Sequence, residues 1–173
     1  MILSGGEIQK ELGKSIIITP FNEKQLNPNS YNLRIDDEIW YFDQAVLDMK
    51  KELRPKKEII PEDGYLLVPG RLYLGKTMEY TESHKYLPCI EGRSSIGRLG
   101  INVHITAGFG DVGFCGCWTL ELSVIQPVVI YPHIEICQIY YQEVKGDVTP
   151  YDGKYNNSTS VVGSRMYKEL VQG

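Results

Sequence analysis

The sequence predicts a mostly β chain, a sandwich or barrel with short helices, and two observations carry that expectation. Short runs rich in β-branched and aromatic residues recur at close spacing along most of the 173 residues, and clusters of Gly, Pro, Asn and Asp punctuate them. The length supports one domain with a real core, and contents of 42% hydrophobic and 23% charged residues are those of a soluble globule.

In chain order, Ser4-Gly5-Gly6-Glu7 has the S-x-x-E form of a capping box and predicts a short helix over about 5–12. The β-rich runs are SIIIT (15–19), SYNLRI (30–35), EIWYF (38–42), GYLLV (64–68) and RLYLGKTM (71–78). INVHIT (101–106), CWTLELSV (117–124), PVVIY (127–131) and EICQIYYQEV (135–144) follow. Turns fall at Asn27-Pro28-Asn29, Pro61-Glu62-Asp63-Gly64, Pro69-Gly70 and Gly110-Asp111-Val112-Gly113. The charged run 50–57 reads as a solvated loop or short helix. Residues 151–173, poor in apolar side chains at their start, read as a mobile arm on a domain spanning 1–150.

A formal net charge of −4 argues against a general nucleic-acid binder, which shows a basic face, but leaves a local anion site open. MILSGGEIQK lacks the apolar stretch of a secretory signal, and no run reaches the ~20 apolar residues of a membrane helix. Cys89, Cys115, Cys117 and Cys137 are therefore expected as reduced thiols in a cytoplasmic protein.

Two clusters carry chemistry. GRSSIGRLG (92–100) sets Arg93, Ser94, Ser95 and Arg98 among three glycines. Ser94 and Ser95 are candidate N-caps of a single helical turn, whose N–H groups and flanking guanidiniums suit phosphate. A capped turn with two solvated arginines is the other reading. In TAGFGDVGFCGCWTLEL (106–122), Asp111 lies in a glycine-flanked turn. Period-2 alternation puts Glu121 on one face with Thr119 and Ser123, opposite Trp118, Leu120 and Leu122. That face is either solvent-exposed or lines a ligand cavity.

Taken together, GRSSIGRLG, HITAGFGDVGF, TLEL, CQI and a KY-bearing tail closely resemble the dCTP deaminase family of the dUTPase-like superfamily, and NPNSYNLRI is similar to its early strand. The resemblance covers roughly residues 1–165. It implies a distorted dUTPase-like β-barrel or jelly roll, trimeric, with active sites between subunits and the tail closing over a triphosphate. Arg93, Ser94, Ser95, Ile96, Gly97 and Arg98 match the triphosphate-binding turn. Asp111 matches the acid that holds the deoxyribose 3′-hydroxyl. Thr119, Leu120 and Glu121 match the pyrimidine-facing segment, with Glu121 the catalytic acid. Gln138, Tyr151 and Lys154 match further nucleotide contacts.

The implied reaction is hydrolytic deamination of dCTP, which needs a water activated for attack at C4 and a proton for the departing ammonia. One carboxylate serves both needs in turn, with Ser94 and Arg98 orienting the water and amino group. Mg²⁺ accompanies the triphosphate, and dTTP is an expected inhibitor of the same pocket. No zinc is expected. The H-x-E of zinc deaminases precedes P-C-x-x-C, whereas here His133-Ile134-Glu135 follows Pro88-Cys89 and position 92 is Gly. Cys115 and Cys117 with His104 or His133 match no standard zinc spacing.

Family members that stop at dUTP resemble T-A-H followed by a basic residue. Those that continue to dUMP and diphosphate resemble T-A-G-F or T-A-G-W. Thr106-Ala107-Gly108-Phe109 resembles the second kind, with Gly108 leaving room for a hydrolytic water, and Gly97 is a variant shared with it. Three departures stand out. Asn32 occupies a position where relatives often carry aspartate, Gly110 and Val112 replace isoleucine and proline, and Ser158 replaces a tail glutamine. A deaminase releasing dUTP, a plain dUTPase and a nucleotide-binding regulator are the rival readings.

Overall fold

The computed structural model describes residues 1–171. Ser4 opens α1 (Gly5–Glu11), its Oγ accepting the Glu7 N–H at 3.3 Å, as the capping signature predicts. The helix buries Ile8 in the core. A short 3₁₀ turn, Glu23–Gln25, follows strand β1 (Ile16–Thr19).

Nine further strands are β2 (Tyr31–Tyr41), β3 (Lys56–Ile59), β4 (Tyr65–Leu67), β5 (Tyr73–Ser83), β6 (Leu87–Gly92), β7 (Ile101–Asn102), β8 (Cys115–Val124), β9 (Val128–Ile130) and β10 (Glu135–Gln142). One antiparallel, nearly closed sheet runs β6–β10–β2–β5–β8–β7, with β1 on β5 and β3 on β2; β4 and β9 form a separate pair. Register shifts interrupt the β2–β5 and β5–β8 ladders between Ile35 and Ile39 and between Lys76 and Tyr80. Such irregularities bend long strands, which lets a sheet curl into a barrel. Inside it, Leu33, Ile35, Ile39, Leu67, Tyr73, Leu120, Leu122, Ile136 and Ile139 are all at most 2% exposed.

Several expectations need correction. SYNLRI and EIWYF are halves of one strand, β2, because Asp36 and Asp37 between them are carried within the strand at its register shift and form no turn. INVHIT pairs only through Ile101 and Asn102, after which the chain leaves the sheet. Lys56 and Lys57, expected in a loop or short helix, begin β3 and pair with Tyr41 and Trp40. The charges fit there because β3 flanks the sheet, where lysines blunt an edge. β6 was not expected. Among the strands it pairs only β10, with an isolated bridge from Cys89 to Phe109 on its other side, and such an edge position tolerates Pro88.

Beyond 150 the chain lies along the barrel wall. Tyr151 N donates to Val112 O at 2.7 Å, Asn157 N to Cys115 O at 2.7 Å, and Ser158 O accepts from Cys117 N at 2.8 Å. Val161 is buried against Trp40 and Leu74 on the sheet's outer face. A last helix, α3 (Met166–Val171), buries none of its residues. Among the described residues, no helix is long and apolar enough to cross a membrane.

Candidate active site

β8 positions the central carboxylate. Trp118, Leu120 and Leu122 enter the core, and Thr119, Glu121 and Ser123 stand half-buried on the other face. After Asn102 the chain folds back over that face. Glu121 N donates to Val103 O at 3.0 Å, and Glu121 Oε2 accepts from Ile105 N at 2.9 Å and Thr106 N at 3.4 Å. One carboxylate oxygen is thereby fixed by two backbone amides. The other has no hydrogen-bond partner among the described residues.

Glu121 lines a cleft of about 490 Å³ between the β5–β8 face, the 107–114 loop, the segment 42–53 and the arm. Phe109, Asp111, Thr119, Tyr151 and Ser158 share it, so six of the expected site residues meet here. Asp111 is exposed in a tight turn whose Phe114 N–H returns to Asp111 O at 3.2 Å. Gly113 has φ 94° in that turn, a value suited to glycine, and an added Cβ would lie 2.7 Å from Tyr151 N. Thr119 Oγ1 accepts Val162 N–H at 3.1 Å, tying the arm to the cleft floor. Leu120 is a neighbour through its backbone only, because its side chain is in the core. Phe42, Leu47 and Leu53, which carried no functional signal in the sequence, form an apolar wall.

The second cluster is not part of the cleft lining. α2 (Ser94–Gly97) follows β6, and its N-cap is Arg93, without a side-chain cap bond; Ser94 and Ser95 lie inside the turn and are not caps. Ile96 anchors the turn in the core, leaving Ser94, Ser95, Gly97 and Arg98 exposed. Arg98 makes no ion pair among the described residues. Arg93 is held by Glu135, through its carboxylate at 3.1 Å and its backbone oxygen at 2.7 Å. Gln138 belongs to this cluster: it accepts from Ser30 Oγ at 2.7 Å and donates to Gly92 O at 3.1 Å. None of Arg93, Ser94, Ser95, Arg98 and Gln138 lines the cleft.

Asn32 supports the same cluster by donating to Glu135 Oε2 at 2.7 Å. In the sequence Glu135 stands out only as part of the zinc-like H-x-E. Here it is engaged with Arg93 and Asn32, while His133 is exposed at φ 62°. Lys154 also lies outside the cleft lining, paired with Glu169 on α3. The Ser158 hydroxyl turns back within the arm, donating to Ser160 O at 2.9 Å.

The room expected beside Gly108 is already filled. Gly108 is buried, and a Cβ there would lie 2.6 Å from Ile90 O and 2.7 Å from His104 Nε2. Glycine is required by close packing of this loop on β6, where Ile90 N donates to Gly108 O at 2.7 Å. His104, the residue that takes up the space, leaves its buried Nδ1 without a hydrogen-bond partner among the described residues.

Fold and cleft together define a class: a mostly β, nearly closed barrel with a carboxylate-bearing cleft and an arginine–serine turn outside its lining. Within that class the chain belongs to the dCTP deaminase-like family, whose model matches residues 2–144. It is 58% identical over 172 residues, 99% of both chains, to a Clostridium acetobutylicum protein named dCTP deaminase, dUMP-forming. A Hathewaya histolytica protein of the same name is 57% identical over 171 residues, 98% of this chain and 99% of its own. The crystal structure of 2′-deoxycytidine 5′-triphosphate deaminase from Agrobacterium tumefaciens superposes with a TM-score of 0.66 at 20% identity. That match covers 83% of this chain and 48% of the other, so this chain spans about half of it and the likeness concerns the fold.

Proposed function

We propose that this protein hydrolyses dCTP to dUMP in two steps, releasing ammonia and then diphosphate, with Glu121 as the acid–base group of the first step. Relatives with that printed name, matched along nearly their whole length, support the reading. The observation that carries it is the state of Glu121. Two backbone amides fix one oxygen at the edge of a cleft, and the other is left to take a proton.

In the first step Glu121 accepts a proton from the water that attacks C4. It returns that proton to the amino nitrogen as the C–N bond breaks, so dCTP and water give dUTP and ammonia. Thr119 and the backbone beside Leu120 border the base, and Asp111 takes the 3′-hydroxyl. The second water cleaves between the α- and β-phosphates, giving dUMP and diphosphate. Mg²⁺ arrives on the triphosphate, and neither step requires zinc.

The described cleft lining holds two acids, Asp111 and Glu121, and no basic side chain, yet the substrate carries a triphosphate. The guanidiniums and hydroxyls of α2 are not part of that lining. A homotrimer answers this mismatch. Arg93, Ser94, Ser95 and Arg98 of one subunit meet the cleft of the next, and the arm brings Tyr151 and Lys154 over the phosphates. dUTP and dTTP fit the same pocket, as intermediate and inhibitor. The protein works in the cytoplasm, without nucleic-acid or membrane partners.

Glu121→Gln keeps the shape but cannot take the proton. Ammonia release should fall by at least ~10² while dCTP still binds. A variant that deaminates at the normal rate contradicts the assignment.

A further inference from the structure

Glu82 and Cys115 are direct cross-strand partners at the open end of the β5–β8 ladder, and His84 follows one residue beyond β5. One donor atom of each, a carboxylate oxygen, an imidazole nitrogen and the thiol sulfur, lies within 4.8 Å of the other two. We propose that Glu82, His84 and Cys115 form a binding site for one borderline-soft divalent cation of the zinc type, separate from the catalytic chemistry.

The scaffold around these side chains is fixed. His84 N donates to Ser15 O at 2.8 Å, Ser83 N to Phe114 O at 3.1 Å, and Gly113 N to Ser83 O at 2.6 Å. His84 Nε2 already lies 2.7 Å from Glu82 Oε2, so the two donors converge before any ion arrives. Tetrahedral zinc with sulfur, nitrogen and oxygen ligands places its donors roughly 3.3–3.8 Å apart. Closing the set therefore takes side-chain rotation of ~1 Å and no change in the ladder.

Charge and ligand type agree. A carboxylate and a thiolate neutralise a dication, and a neutral imidazole completes a mixed set whose sulfur disfavours Mg²⁺ and Ca²⁺. Binding displaces one proton, from the Cys115 thiol. His84 is exposed, which leaves a fourth position open to water. The site also adjoins the foot of the arm, because Cys115 N donates to Asn156 Oδ1 at 2.8 Å and Cys115 O accepts from Asn157 N at 2.7 Å.

The test is titration of the full chain with Co²⁺, followed by absorption. The expected result is one Co²⁺ per chain with a thiolate-to-cobalt charge-transfer band that Zn²⁺ abolishes. The band should vanish in Cys115→Ser and His84→Ala and persist in Cys117→Ser, with folding of each variant checked by circular dichroism. No band on the folded chain overturns the proposal. So does a band that survives in Cys115→Ser, since another thiol then holds the ion, or one unchanged in His84→Ala, since the imidazole is then not a ligand.

Discussion

The Glu135 oxygen that pairs with Arg93 at 3.1 Å also accepts the Asn32 side-chain N–H at 2.7 Å. Asn32 Oδ1 is in turn held by Asn27 Nδ2 at 2.7 Å, which fixes the amide with its nitrogen toward Glu135. An ionised aspartate at 32 has no N–H to donate and would oppose the Glu135 charge. The asparagine therefore suits this arrangement, in which β2 and β10 together aim a guanidinium.

Arg93 is the first test of that arrangement. A hydrogen bond to a charged group contributes about 1.5–3 kcal/mol. Arg93→Ala is accordingly expected to weaken dCTP binding by roughly ten-fold or more. Deoxycytidine, lacking phosphates, should bind almost as before, and calorimetry with both ligands measures the difference. Equal losses would show that Arg93 does not touch phosphate.

The absence of α2 from the cleft lining gives a second prediction. Arg98→Ala and Glu121→Gln chains should each be nearly inactive alone. Refolded together, they form mixed trimers in which about one site in four joins an intact cleft to an intact turn. Deaminase activity should then reappear, and sizing chromatography should show trimers. No recovery in mixed trimers would mean that each chain builds its own site.

Glu121's face was legible in the sequence because alternation is local: Trp118, Leu120 and Leu122 had to share the core side of β8. What lay over that face was not legible. INVHIT alternates like a strand, and only the tertiary fold peels it away after Asn102 to bring Ile105 and Thr106 amides to Glu121. β6 was hidden by Pro88 and Glu91, which an edge position tolerates. Glu135 gave no sign of its partner, because Arg93 lies 42 residues away and the two meet through the β6–β10 ladder. The arginine–serine turn was legible as a motif, but its absence from the cleft lining was not.

Gly108 now carries a sharper expectation than room for a water. Its missing side chain accommodates Ile90 O and the His104 ring, and its loop also supplies the amides that hold Glu121. Gly108→His should displace the loop and lower ammonia release and diphosphate release together, each assayed separately. Undiminished ammonia release with accumulating dUTP would instead show that the glycine serves the second step alone.

The most direct measurement is a time course of the unmodified protein with dCTP and Mg²⁺, resolving dUTP, dUMP, ammonia and diphosphate. The two-step account predicts ammonia, dUMP and diphosphate in equal amounts, with dUTP at most transient. Ammonia with dUTP as the final product, diphosphate without ammonia, or binding without turnover would contradict it.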